Sequence, residues 1–138
     1  MRCFHKKLIF ALDRTLWRQT IEWHPRIKRP TILKETHDVL RYVQRHHYLY
    51  VASRSAESDK CHHFLNTYFP DIHFTARAIY PTPFGKIGHI RDLKCHDGSF
   101  VFFDDEAPIL NEIKQMFPNA QTVLCTSPLS WKDLTLKR

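Results

Sequence analysis

The residue types that could do chemistry in this 138-residue chain stand at four places. Asp13 follows an apolar run, in the stretch Ala11-Leu12-Asp13-Arg14-Thr15-Leu16-Trp17. Ser53-Arg54-Ser55 follows a second run, Lys86 precedes a short amphipathic stretch, and Asp104-Asp105-Glu106 closes a third run. Carboxylates with water and a phosphate oxygen suit Mg²⁺, which keeps several waters and needs few protein ligands. A hydroxyl and an ammonium suit the remaining phosphate oxygens. On one common rim these groups would outline a site for phosphoryl transfer. Singly, each has a plainer reading. Asp13 is then a turn residue after a strand, Ser53 and Ser55 are helix caps, Lys86 is a solvated side chain, and the acidic triplet opens the helix that begins near Pro108.

A common rim requires a fold that brings the ends of separate strands together, and the apolar pattern supplies one. Lys7–Leu12, Tyr48–Ala52, Phe74–Tyr80, Phe100–Phe103 and Thr122–Cys125 read as five strands, with Phe74–Tyr80 more polar and expected near a sheet edge. Between them lie helical spacings: Thr31 to about His46, a helix capped by Ser55 and running to about Tyr68, Lys86–Cys95, and a helix with Pro108 in its first turn and an inner face of Ile109, Leu110, Ile113 and Met116. Ser130 and Asp133 read as a capping pair for a short terminal helix. Strand alternating with helix predicts an α/β fold: a doubly wound, Rossmann-like three-layer domain over residues 1–138 with a mostly parallel five-stranded sheet. Ligands in such sheets gather beyond the carboxyl ends of the strands, where strand order switches direction.

Composition narrows the class without choosing a function. The formal charge is +7 and 43% of residues are apolar, which fits a globular chain and an acidic partner such as a phosphate, a nucleic acid or an acidic protein. No apolar run approaches the ~18 residues of a membrane span, and the basic start Met1–Lys7 precedes too short an apolar stretch for a secretory signal. Cysteines 3, 61, 95 and 125 form no Cys-x-x-Cys pair and read as reduced thiols of an intracellular, cytoplasmic protein, with Cys125 buried. His46-His47 and His62-His63 lack zinc spacing and read as solvated or helix-end residues. Arg26, Lys28 and Arg29 form either a solvated basic loop or a run that steers a phosphorylated partner toward the rim.

The motifs, in this order, resemble the haloacid dehalogenase superfamily, and in particular its magnesium-dependent phosphatase branch. Leu8 to Trp17 resembles the first motif, Asp-x-Asp-x-Thr with a trailing Leu-Trp. Val51-Ala52-Ser53-Arg54-Ser55 resembles the second, Ile79-Tyr80-Pro81 with Lys86 the third, and Phe102 to Glu106 the fourth. The resemblance implies a Mg²⁺ cofactor and an aspartyl-phosphate intermediate. It implies that Asp13 is the general acid and base and gives its main-chain carbonyl to the metal. Ser53 and Arg54 would bind phosphate, Lys86 would neutralise charge around nucleophile and phosphate, and Asp104 would ligate the metal. Asp105 would ligate it too, or hold a metal-bound water or Lys86. Trp17 is either a packing residue or a substrate platform.

One position departs from the pattern. Ala11 stands where the family has its nucleophilic aspartate, and a methyl group can neither attack phosphorus nor bind Mg²⁺. Losing a nucleophile costs on the order of 10⁴–10⁶ in turnover, so the chain as written is expected to be inert. A single Asp→Ala introduced into an intact enzyme explains the pattern with one change; a natural pseudophosphatase is the other history. About fifteen residues separate Thr15 from the first helix, and the 33 residues from Ser53 to Lys86 already hold a helix and a strand, so no cap domain fits. The expected site is open and suits a bulky phosphate ester, first an aryl or phosphoprotein phosphate. Nucleic acid stands second, because no aromatic-interleaved single-strand platform is evident.

Overall fold

The computed structural model describes residues 5–24, 26–95, 97 and 99–134. Its elements run in chain order β1 (Lys7–Phe10), a 3₁₀ helix (Ile21–Trp23), α1 (Lys34–Val43), β2 (Tyr48–Ser53), α2 (Ser58–Tyr68), β3 (Phe74–Ile79), α3 (Ile87–Asp92), β4 (Phe100–Asp104), α4 (Ala107–Met116), β5 (Gln121–Leu124) and a second 3₁₀ helix (Trp131–Leu134). The five strands form one sheet in the order β3-β2-β1-β4-β5, and every pairing is parallel. The expected Rossmann-like α/β architecture is therefore the observed one, with β3 at an edge.

The strands read as continuous apolar runs because helices cover both faces of the sheet. Side chains alternate across a strand, and the core divides accordingly. Leu8, Phe10, Leu49, Val51, Val101 and Phe103 pack with the α1 and α2 residues Val39, Leu40, Phe64 and Leu65. Ile9, Tyr50, Ala52, Phe100 and Phe102 pack on the other face with Ile90 of α3 and Ile109, Leu110 and Ile113 of α4. The chain winds outward from β1 to β3, then crosses back to β4 on the other side of β1. The switch in strand order thus lies between β1 and β4, whose carboxyl ends carry Ala11 and Asp13 on one side and Asp104 and Asp105 on the other.

Several element ends differ from the sequence reading, each for a local reason. Helix α1 begins at Lys34, not Thr31, because the Thr31 carbonyl accepts from the Arg18 N–H and the Gln19 amide bonds both the N–H and the hydroxyl of Thr31. Ser55 does not cap α2. Its hydroxyl accepts from the Glu57 N–H in a turn ahead of the helix, and Glu57 is the boundary residue. Helix α3 ends at Asp92, and Lys94 just beyond it has φ +60°. Met116 is exposed, and Phe117, four residues after Ile113, completes the inner stripe of α4 in its place. Asp133 does accept from the Ser130 N–H and hydroxyl, but the element it caps is a 3₁₀ helix.

Cys61, Cys95 and Cys125 are free and buried, and burial pushes the Cys61 and Cys95 thiols up to about 11. Cys3, the basic start through Phe4, and Pro25 lie outside the described residues. The His47 ring accepts the Lys6 N–H, His62 faces the Arg77 guanidinium, and His63 contacts Thr67. Among the described residues no helix is long and apolar enough to cross a membrane.

Phe10 and Phe103 stack at 4.8 Å between centroids, both fully buried, at the carboxyl ends of neighbouring strands. Phe10→Ala is therefore expected to cost about 3–5 kcal/mol, read in urea unfolding as a lower midpoint with an unchanged slope.

Candidate active site

The residue after β1 is fixed by its neighbour strand: the Ala11 N–H donates to the Phe103 carbonyl at 2.9 Å. The chain then turns tightly. The Leu12 carbonyl accepts from the N–H groups of Thr15 (3.0 Å), Leu16 (2.8 Å) and Trp17 (3.4 Å), with Arg14 at φ +62°. This turn brings Trp17 back to Asp13, and the indole Nε1–H donates to Asp13 Oδ1 at 2.8 Å. Trp17 is wholly buried and meets Phe64 edge to face, so it is a packing residue that aims a carboxyl and not a substrate platform. Burial raises the Asp13 carboxyl above the usual carboxylate range, although the Trp17 hydrogen bond and the Lys86 charge pull the other way.

Asp13, Ser53, Arg54, Lys86, Asp104 and Asp105 line one open cleft of about 250 Å³ with Ala11 among them, so every sequence-nominated site residue meets the others. The Lys86 ammonium and the Asp104 carboxylate are both buried and form an ion pair at 2.7 Å (Nζ to Oδ2). Asp104 Oδ1 accepts from the Glu106 N–H at 3.1 Å. Asp105 does not hold Lys86; it turns to Arg14 at 3.4 Å. Burial, with the Asp104 charge beside it, pushes the Asp105 carboxyl up to about 6.

Ser53 ends β2 in the cleft wall, its hydroxyl oxygen accepting from the Ser55 N–H at 3.3 Å; a hydroxyl that accepts still has a proton to donate. Arg54 has a second duty beyond the one expected of it. Its Nη2 donates to the carbonyls of Thr82 and Pro83, bracing the loop that presents Lys86, while its Nε is buried without a partner. A buried donor of that kind is costly unless a ligand satisfies it.

Four polar lining residues had no site role in the sequence reading: Thr20, Glu22, Ser55 and Glu106. Glu22 Oε1 accepts from the Ala56 N–H at 2.7 Å and so ties the β1–α1 connection to the approach to α2. Glu22 sits in a stretch with no apolar period, and only its cross-chain partner marks it out.

No group of three or more His, Cys, Asp or Glu side chains forms a cation cage among the described residues. Asp104, Asp105 and the Asp13 carbonyl are nonetheless hard oxygen donors, and Mg²⁺ takes one or two carboxylates while keeping several waters. Two neighbouring carboxylates and a main-chain carbonyl in a cleft open to water match that demand. The residues present therefore fit Mg²⁺.

In metal-free buffer Asp105 should make stability depend on pH. Its folded pKa lies above the ordinary aspartate value of 3.8, so its contribution is intact below about pH 4 and is lost as pH rises through about 6. Asp105→Asn is expected to match the parent near pH 4 and to exceed it at pH 8 by on the order of 2 kcal/mol, measured by denaturant unfolding at the two pH values.

No family model matches the sequence, and no curated protein matches it. The fold does match solved structures. The N-terminal part of BF1531 from Bacteroides fragilis, which contains a phosphatase domain and is complexed with Mg, aligns with a TM-score of 0.65 and 21% identity over 86% of this chain and 35% of that one. The present chain thus spans about a third of that neighbour's length. The HAD domain of the effector Lem4 from Legionella pneumophila aligns with a TM-score of 0.55 and 13% identity over 96% of this chain and 89% of that one. Parallel strand order and these two alignments agree: the chain has the haloacid dehalogenase fold.

Proposed function

We propose that the cleft binds the phosphoryl head of a phosphomonoester, in a single capless domain built as a Mg²⁺-dependent phosphatase but lacking its nucleophile. The observation that carries this reading is the meeting of Asp13, Ser53, Lys86, Asp104 and Asp105, from four separate strand ends, around the methyl group of Ala11. Such a set has no packing purpose, since burying charge and hydroxyl groups costs free energy unless each is matched.

In this reading the Ser53 hydroxyl and the Arg54 Nε–H donate to phosphoryl oxygens, and the Lys86 ammonium, fixed by Asp104, offsets their charge. Asp104, Asp105 and the Asp13 carbonyl would hold Mg²⁺, which would supply further neutralisation of phosphoryl charge. Asp13 is set up as the acid: burial favours its protonated form, and the Trp17 hydrogen bond holds the carboxyl at one angle. With a carboxylate restored at position 11 to attack phosphorus, the departing oxygen beside Asp13 would receive that proton, and the same Asp13 carboxylate would then take one from the water that releases the phosphoryl group. Ala11 leaves the attacking position without a carboxylate, so the chain binds the ester without turning it over.

The connection from Leu16 to Leu33 holds only the 3₁₀ helix Ile21–Trp23 among its described residues. With nothing larger folded over the cleft from that side, the mouth accepts a bulky ester.

Restoring the carboxylate tests the reading. Ala11→Asp is expected to bring Mg²⁺-dependent hydrolysis of an aryl phosphate, on the order of 10⁴-fold or more above the parent chain. Adding Asp13→Asn to that variant should remove most of the gain. A folded Ala11→Asp protein with no turnover on any phosphomonoester, with Mg²⁺ present, would sink the enzyme reading.

A further inference from the structure

The cleft does not stop at the phosphoryl site. Thr20 and Asp105 line both the cleft and a larger adjoining groove of about 860 Å³, whose walls include Arg14, Arg18, Trp23 and His24. Gln19 and His24 then continue into a further hollow walled by Arg26 and Ile27. One surface track therefore leads from the cleft along the β1–α1 connection.

Residues 14–34 hold six lysines and arginines against a single acid, Glu22, in a chain whose net charge is +7. Arg14 pairs with Asp105 and Lys34 with Asp38, which leaves Arg18, Arg26, Lys28 and Arg29 as the cations of the connection without a carboxylate in an ion pair among the described residues. Glu22 is engaged with the Ala56 N–H. Trp23 is 73% exposed in the middle of this basic surface. Most of that indole lies in water, in the same groove wall as Arg14 and Arg18.

We propose that this groove is a track for single-stranded nucleic acid, and that the phosphomonoester taken by the cleft is the terminal phosphate of an oligonucleotide. The proposal rests on the phosphoryl-binding reading of the cleft. The track pairs cations that follow a phosphate backbone with an aromatic face on which a base can stack, the two components of sequence-tolerant single-strand binding. An acidic phosphopeptide would use the cations but not the exposed indole. Along the sequence the aromatic and basic residues show no regular interleaving; the turn after β1 and the 3₁₀ helix bring Arg14, Arg18 and Trp23 to one groove.

Fluorescence anisotropy on the chain as it stands tests this, with labelled oligothymidylates bearing a phosphate or a hydroxyl at the 5′ or the 3′ end. The phosphate-ended strand is expected to bind about tenfold tighter than its hydroxyl-ended counterpart. Neutralising three or four phosphates gives a log K against log salt slope of about −2 to −3. Trp23→Ala and Arg18→Ala, both at exposed positions, should each weaken binding about tenfold while leaving the circular dichroism spectrum unchanged. A preference for one end supports the proposal and assigns strand polarity. A phosphopeptide of matched length that binds as tightly, and ignores Trp23→Ala, overturns it. Inorganic phosphate bound by parent and variants alike, with no oligonucleotide binding, overturns the track and leaves the cleft reading standing. Oligonucleotide binding through Trp23 and Arg18 that ignores the terminal phosphate overturns the cleft reading, and end recognition with it.

Discussion

The arrangement of this site depends on one buried ion pair, Lys86 with Asp104 at 2.7 Å. Two opposite charges taken out of water are tolerated only when they meet closely and their remaining valences are satisfied. Here Asp104 gives one oxygen to the ammonium and the other to the Glu106 N–H. The pair ties the carboxyl end of β4 to the residue that opens α3, across the face of the sheet. Beside it Asp105 turns outward to Arg14, and Arg54 braces the loop that delivers Lys86.

Ala11 changes the charge balance at this point. With a carboxylate there, the ammonium would face two close anions besides Asp105. With a methyl group, Lys86 and Asp104 match one to one, and the Asp105 carboxyl is raised first by its own burial and then by the Asp104 charge.

The second consequence of the topology is the character of the rim. The connection after β1 carries no inserted domain among the described residues, only a 3₁₀ helix, and it is strongly basic. It is held to the body by buried Leu16, Trp17 and Ile21 and by Glu22, which accepts from the Ala56 N–H, while the bonds from Arg18 and Gln19 to Thr31 close the connection on itself. These apolar residues therefore face inward and leave the cationic ones and Trp23 outside. The same anchoring that aims Asp13 through Trp17 also displays the basic surface beside the cleft.

The sequence by itself determined the sheet and pointed to residues that line one cleft. Buried parallel strands must be apolar on both faces, so Leu8 to Phe10, Leu49 to Ala52 and Phe100 to Phe103 were legible as unbroken runs, and the polar residues that end such runs were conspicuous. Ala11 stood out only through the resemblance to the haloacid dehalogenase motif, which has an aspartate at that place. Tertiary structure alone decided the pairings: that Lys86 belongs to Asp104 and Asp105 to Arg14, that Trp17 supports Asp13, that Arg54 braces a loop, and that Glu22 joins the wall. Most of those partners lie on different elements, and no local period encodes a contact whose distance is set by how helices and a sheet pack.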